Sequence, residues 1–192
     1  MSVRGSIFII SAPSGTGKST LTRRILKKVP RITYSISSTT RPIRRDETNG
    51  VEYNFKDKAT FQKMIEEGLF LEHAEVHGNY YGTEKASVNQ ILDSGSDVLF
   101  DIDIQGANQI KIAHPESVSI FIMPPSLAVL EERLRRRGTE DESTIIERLQ
   151  AAESEMANSK EYDYVVVNED LDSANGKIEE IIEIERKRVS ST

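Results

Sequence analysis

A junction near the N-terminus does most to limit what this chain can fold into. A continuous apolar run, Ser6 to Ser11, leads into Ala12-Pro13-Ser14-Gly15-Thr16-Gly17-Lys18-Ser19. A helical stretch, Lys18 to Lys28, follows and is stopped by Pro30. An apolar run without alternation reads as a strand buried on both faces, the signature of a parallel sheet covered by helices. A glycine-rich loop between such a strand and a helix is the context that gives the loop a chemical meaning. Glycines let backbone N–H groups turn inward around phosphate oxygens, and the helix N-terminus adds free donors and a positive dipole end. Lys18 can reach the outer phosphates, and the Ser19 hydroxyl can ligate Mg²⁺. The usual pattern begins with glycine where this chain has Ala12. A methyl group is tolerable there, since Gly15 and Gly17 remain.

The rest of the chain keeps the strand–helix rhythm. Strands are expected at Arg31–Ile36, Phe70–Val76, Val98–Ile102, Val118–Met123 and Tyr164–Val167. Helices are expected at Lys58–Glu67, Thr83–Asp93, Gln105–Ala113, Ser126–Arg137 and Leu171–Val189. A further helix has a capping-box spacing at Thr139 and Glu142 and an apolar stripe of Ile145, Leu149, Ala152 and Met156. Alternation of this kind predicts an α/β three-layer fold with a parallel central sheet. Two stretches break the rhythm, a polar insert at 37–83 and a helical pair at 126–159. The expected organisation is therefore core 1–36, insert 37–83, core 84–125, lid 126–159 and a closing strand and helix at 160–192.

The 192 residues suit one domain, with 37% hydrophobic and 29% charged residues. The formal net charge of −6 does not favour nucleic acid or an anionic membrane. No window approaches the length of a membrane span. Without cysteine, thiolate catalysis and cysteine-ligated zinc are excluded, and a cytoplasmic location is the natural expectation. Composition is equally compatible with a monomer and a homo-oligomer.

The insert narrows the chemistry. Ser37-Ser38-Thr39-Thr40-Arg41-Pro42-Ile43-Arg44-Arg45 and the following residues to Phe55 combine cations, hydroxyls and Tyr53 around a turn at Asn49-Gly50. Arg41 and Arg44 could clamp a phosphate by forked hydrogen bonds, with Tyr53 as a further donor. Here the sequence resembles the guanylate kinases. Thr39, Thr40, Arg41, Arg44, Glu47, Gly50, Tyr53 and Phe55 fill every place of that family's insert signature. Gly78–Thr83, Asp101–Gly106 and Arg137-Gly138-Thr139 extend the resemblance over nearly the whole chain.

The resemblance implies a phosphate-loop kinase of three parts, transferring the γ-phosphoryl of ATP to GMP with Mg²⁺ as cofactor and dGMP as a candidate second acceptor. Ala12 to Ser19, the following Thr20, Arg133, Arg137 and Asn168 match its ATP-binding positions. Ser37, Arg41, Arg44, Tyr53, Glu72, Tyr81, Thr83 and Asp103 match its GMP-binding positions, the phosphate falling to Arg41, Arg44, Tyr53 and Tyr81. Lys18, Arg41, Arg137 and Arg148 take the catalytic places, and Ser19 and Asp101 those of the metal. Adenine contact for Asn168 belongs to the same inheritance.

Elementary chemistry supports the choice of base. Guanine presents N1–H and an exocyclic amine side by side, and a carboxylate such as Glu72 accepts from both. Adenine's N1 is a bare acceptor, which the carboxylate repels. Ser37 and Thr83 can donate to guanine O6. Such a site rejects the wrong base because its own polar groups would be left unpaired. Asp101 and Asp103, two apart at a strand end, are expected on the crevice side of the sheet. Arg133 and Arg137, four apart, share a helix face, whereas Arg135 and Arg136 read as surface arginines paired with Glu131, Glu132 and Glu147. His73 and His77 read as structural, and Tyr80 as packing. Two other functions stay open: a kinase for a different nucleoside monophosphate, and a non-enzymatic module of the same fold that binds phosphorylated peptides.

Overall fold

The computed structural model describes residues 4–76, 78–138 and 141–190, with the side chains of Arg137 and Ser190 left out. β1 (Ile7–Ser11) is buried at all five positions, as its unbroken apolar run requires. It lies in a five-stranded sheet with β2 (Ile32–Tyr34), β7 (Asp97–Asp101), β8 (Val118–Met123) and β9 (Tyr164–Val167), in the order β2-β7-β1-β8-β9. The pairs β2/β7, β1/β8 and β8/β9 are parallel. β2, β7, β8 and β9 are each reached through connections that contain at least one helix, which is what parallel pairing demands. A second sheet of four short strands has the order β4 (Asn54–Phe55), β3 (Ser38–Thr39), β6 (Asn79–Glu84), β5 (Phe70–Val76).

The contacts divide the chain into two units, and the division runs through β1 and β7. The first holds residues 4–7, 31–100 and 105–117. It carries the four-stranded sheet, α2 (Lys58–Glu66), α3 (Lys85–Asp93) and most of α4 (Ile104–Ala113). Phe61 of α2 is fully buried, stacked on Phe70 at 4.3 Å and on Tyr80 at 5.6 Å between ring centres. Tyr80 is thus a packing residue.

The second unit holds 8–30, 101–104 and 118–190. It contains α1 (Lys18–Lys28), α5 (Leu127–Arg137), α6 (Glu142–Ala157), a short 3₁₀ turn and α7 (Leu171–Ser190). α5 and α6 are joined by a small core of Leu130, Leu134, Ile145 and Ala152, with Leu127 and Leu149 against it. Each buried leucine contributes about 2 kcal/mol, enough to hold two amphipathic helices as one piece.

Three expectations need correction. Thr83 does not open a helix: it belongs to β6, and α3 begins at Lys85. β6 carries no periodic signal of its own and is defined by non-local pairing with β3 and β5. Asp103 does not share a strand face with Asp101, because β7 ends at Asp101 and α4 starts at Ile104. The N-cap of α6 is Asp141, whose carboxylate accepts from Thr144 N at 2.8 Å. The expected cap Thr139, and His77, lie outside the described residues.

Candidate active site

The glycine-rich loop ends in a helix whose N-terminus has no side-chain cap. Gly17, the N-cap of α1, has φ 100°, and no side chain accepts from the first turn. α2, α5 and α6 are all capped, by Asp57, Ser126 and Asp141. An uncapped first turn leaves backbone N–H groups for an outside anion. Gly15 is required twice over. Its φ is 93°, and a Cβ there would lie 2.8 Å from Leu134 Cδ2 on α5. Ala12 needs no such freedom, since among the described non-glycine residues only Arg31 has positive φ.

Lys18 and Asp101 meet beneath the loop. Lys18 Nζ lies 2.5 Å from Asp101 Oδ1 and donates to Ile102 O at 3.3 Å. Thr22 Oγ1 donates to the other carboxylate oxygen at 3.2 Å. Ser19 is exposed on the first turn. Asn168 is buried, and its amide donates to Thr16 O at 2.7 Å. Its side-chain oxygen has no partner. A Cβ at Gly17 would strike that amide nitrogen at 2.8 Å, so loop and asparagine fit only as glycine against amide.

A cavity of about 340 Å³ opens here, lined by Gly15, Gly17, Thr20, Arg133, Arg136 and Asn168 among others. Arg133 donates to Asn168 O at 3.0 Å. Arg148, on α6, donates to Ser14 Oγ. Arg136 faces this cavity and was missed by the sequence reading, which grouped it with the surface arginines. The signal was available: 133 and 136 share a helix face, whereas 135 falls beside Glu131. Arg135 is indeed the paired one, bound to Glu131 and Glu142, which raise its pKa further above its ordinary value. Glu155 on α6 has a raised pKa, chiefly through burial, with Asp103 adding to the effect and Lys18 opposing it.

The insert builds a separate cluster in the first unit. Thr83 Oγ1 donates to Glu72 Oε1 at 2.7 Å, and Ser37 Oγ stands 3.3 Å from Thr83 Oγ1. Glu72 is 6% exposed and Thr83 fully buried. A β-bulge between Phe70 and Glu72 brings Glu72 opposite Thr83, so both side chains lie on one face. Gly82 lets the strands approach; a Cβ there would lie 2.9 Å from Glu72 O. Thr83's single proton is committed to Glu72 in this structure, so donation to a base oxygen would require the hydroxyl to rotate. Asp103 belongs to the second unit.

Beside these, Arg41 forms a forked pair with Glu47, Nη2 to Oε1 at 2.7 Å and Nη1 to Oε2 at 3.0 Å. The guanidinium lies 5.4 Å from the Tyr53 ring centre and 5.7 Å from that of Phe55. Tyr53 in turn meets Tyr81 edge to face at 5.9 Å. Glu47 raises Arg41 above its ordinary value, and Arg41 with the Arg44 backbone N–H holds Glu47 below the usual carboxylate range. Arg41, Tyr53 and Tyr81 are therefore gathered, while the Arg44 side chain is exposed.

A parallel α/β sheet with an uncapped glycine-rich loop at the end of β1, a lysine in the first turn and an aspartate on the adjoining strand end defines a phosphate-loop nucleotide-binding protein. The comparisons are more specific. A family model described as guanylate kinase matches residues 4–185. A guanylate kinase of Carboxydothermus hydrogenoformans is 47% identical over 190 residues, covering 97% of this chain and 93% of that protein. One from Rickettsia felis is 48% identical over 185 residues, covering 96% of each. The crystal structure of guanylate kinase from Anaplasma phagocytophilum superposes with a TM-score of 0.75 at 37% identity, over 95% of this chain and 87% of that one. The chain belongs to the guanylate kinase family.

Proposed function

We propose that the protein transfers the γ-phosphoryl group of ATP to GMP, giving ADP and GDP by direct in-line displacement. The observation that carries the choice of acceptor is the buried carboxylate of Glu72, which accepts from Thr83, with Ser37 against that threonine in the first unit. A carboxylate placed where water is largely excluded selects adjacent N–H donors, and guanine's N1–H and amine are such a pair. On this reading 37–83 is the acceptor-binding insert and 126–159 the lid.

ATP's phosphates take the unpaired N–H groups of the α1 first turn, with Lys18 on the outer phosphates and Asn168's unpartnered oxygen toward the base. Arg133, Arg137 and Arg148 bring positive charge to the transferring group. Arg41 and Arg44, with Tyr53 and Tyr81, bind the acceptor phosphate. Catalysis then consists of positioning two anions and neutralising charge that spreads as the transferring group becomes planar. Ser19's exposed hydroxyl and Asp101's carboxylate are hard oxygen donors, the chemistry Mg²⁺ prefers, and would hold it. Held by these two residues, Mg²⁺ would supply charge neutralisation at the phosphate oxygens. Closure on binding both nucleotides keeps water from accepting the phosphoryl group. Among the described residues no helix is long and apolar enough to cross a membrane; a cytoplasmic location suits the freely diffusing substrates.

The test is ADP release from Mg-ATP with GMP, AMP, UMP, CMP and dTMP offered separately. Turnover overwhelmingly with GMP is expected. Turnover with another monophosphate would overturn the roles of Glu72, Ser37 and Thr83, and none with any would overturn the kinase itself.

A further inference from the structure

β5, which carries Glu72, is the outer strand of its sheet, with β6 on one side only. In an antiparallel pair, alternate residues turn their backbone N–H and C=O away from the neighbouring strand. At an edge those groups are open unless something covers them. At His73 they are covered by one side chain. Gln109 Oε1 accepts from His73 N at 3.0 Å, and Gln109 Nε2 donates to His73 O at 2.9 Å. The carboxamide does for β5 what the peptide group of a further strand would do.

An amide side chain carries donor and acceptor on one planar group, as a peptide unit does. Glutamine adds the reach needed from α4. The clamped residue is covalently next to Glu72, which follows the bulge between Phe70 and Glu72. A bulge interrupts the ladder and bends its strand, so the pairing with β6 alone leaves the direction of β5 weakly fixed there.

We propose that Gln109 is a positioning residue for base recognition: by fixing the β5 backbone at His73 it sets the direction in which the Glu72 carboxylate meets the amino edge of the acceptor base. The inference rests on the reading of Glu72 as the guanine contact. Gln109 touches no substrate in this scheme. Its effect therefore falls on acceptor affinity and on discrimination between bases, and leaves the phosphate chemistry alone.

The experiment measures kcat and KM for GMP, IMP and ATP in the wild type, Gln109→Ala and Gln109→Glu. IMP lacks the exocyclic amine, so it reports on half of the Glu72 contact. Gln109→Ala is expected to raise KM for GMP about tenfold, the scale of one misaligned hydrogen bond between the Glu72 carboxylate and the base. It should also narrow the GMP-over-IMP preference, while kcat and the KM for ATP stay within about threefold. Gln109→Glu keeps the size and the acceptor for His73 N–H but sets a carboxylate against the His73 carbonyl. It should shift GMP discrimination the same way even if the alanine variant folds poorly. Amide exchange at His73 should be slow in the wild type and fast in Gln109→Ala. A GMP-to-IMP ratio unchanged in both folded variants, or equal losses toward GMP, IMP and ATP, would overturn the proposal. Failure of the wild type itself to prefer GMP over IMP and AMP would instead overturn the reading of Glu72.

Discussion

On the proposed assignment, the loop that ends β1 and the cluster around Glu72 solve recognition in opposite ways. In the loop, the binding groups are backbone amides, displayed because Gly15 and Gly17 adopt positive φ and because no side chain caps α1. Around Glu72 they are side chains from three segments of the sheet, already hydrogen-bonded to one another. A phosphate is nearly isotropic, so amides on one turn suffice. A base edge has a fixed order of donors and acceptors, and only side chains in fixed register can match it. The first kind of site is local in sequence; the second exists only once distant strands have paired.

The difference can be broken most severely at Lys18. Lys18→Met should lower kcat/KM by about 10³-fold with every acceptor alike, because it removes charge stabilisation common to them all. Steady-state assays with GMP and IMP check this, and a loss confined to one acceptor would contradict it. Glu72→Gln should act the other way. The GMP-over-AMP ratio should fall by about 10²-fold while the KM for ATP stays put, since the mismatch lies only at the base. Arg136→Ala sharpens the contrast within one helix. We expect its KM for ATP to rise about fivefold, against no more than about 1.5-fold for Arg135→Ala, whose partners are exposed glutamates. Equal effects would mean that Arg136 does not meet the nucleotide.

The smallest effect concerns acid stability of the insert. Glu47 is held below its ordinary value, first by the Arg41 hydrogen bond and then by the Arg44 backbone N–H. A depressed carboxyl contributes stability above its unfolded pKa and loses it as pH falls through the folded one. The loss therefore sets in below the ordinary glutamate value of about 4.3. In Glu47→Gln the fall of Tm with acid should be slightly shallower over that window, with a lower Tm at neutral pH. Parallel melting curves for the two proteins would show that the pair carries no such linkage.

The same contrast explains what could be read in advance. α1 appears at Lys18–Lys28 and β8 at Val118–Met123, because periodicity and breakers are local signals. The parallel sheet followed from strands with no polar alternation. β3 and β4 have two residues each and no periodicity to detect. Thr83 falls in β6 rather than in a helix because that strand is defined by pairing with β3 and β5, with Gly82 as a close-approach residue across the sheet. For the site, the loop, Lys18 and the Arg41–Tyr53 group stood in the motif. The Glu47 grip on Arg41, the brace from Asn168 to Thr16 O and the Gln109 clamp did not. The Asn168 brace and the Gln109 clamp join residues far apart in the chain and leave no spacing to find, whereas Arg41 and Glu47 are six apart and only their forked contact needed the folded loop.

If Arg41 binds the acceptor phosphate as proposed, its forked pair with Glu47 makes the insert its own competitor. On the proposed assignment, an arriving phosphate must take the guanidinium from a carboxylate that already matches its two-pronged geometry. Apparent affinity is then the intrinsic affinity scaled by the fraction of time the fork is open. A small anion such as inorganic phosphate has only that one contact with which to displace the carboxylate. A nucleotide brings a second attachment through its base and can bear the exchange. On that assignment the glutamate would set a threshold that a small anion meets with one contact and a nucleotide with two.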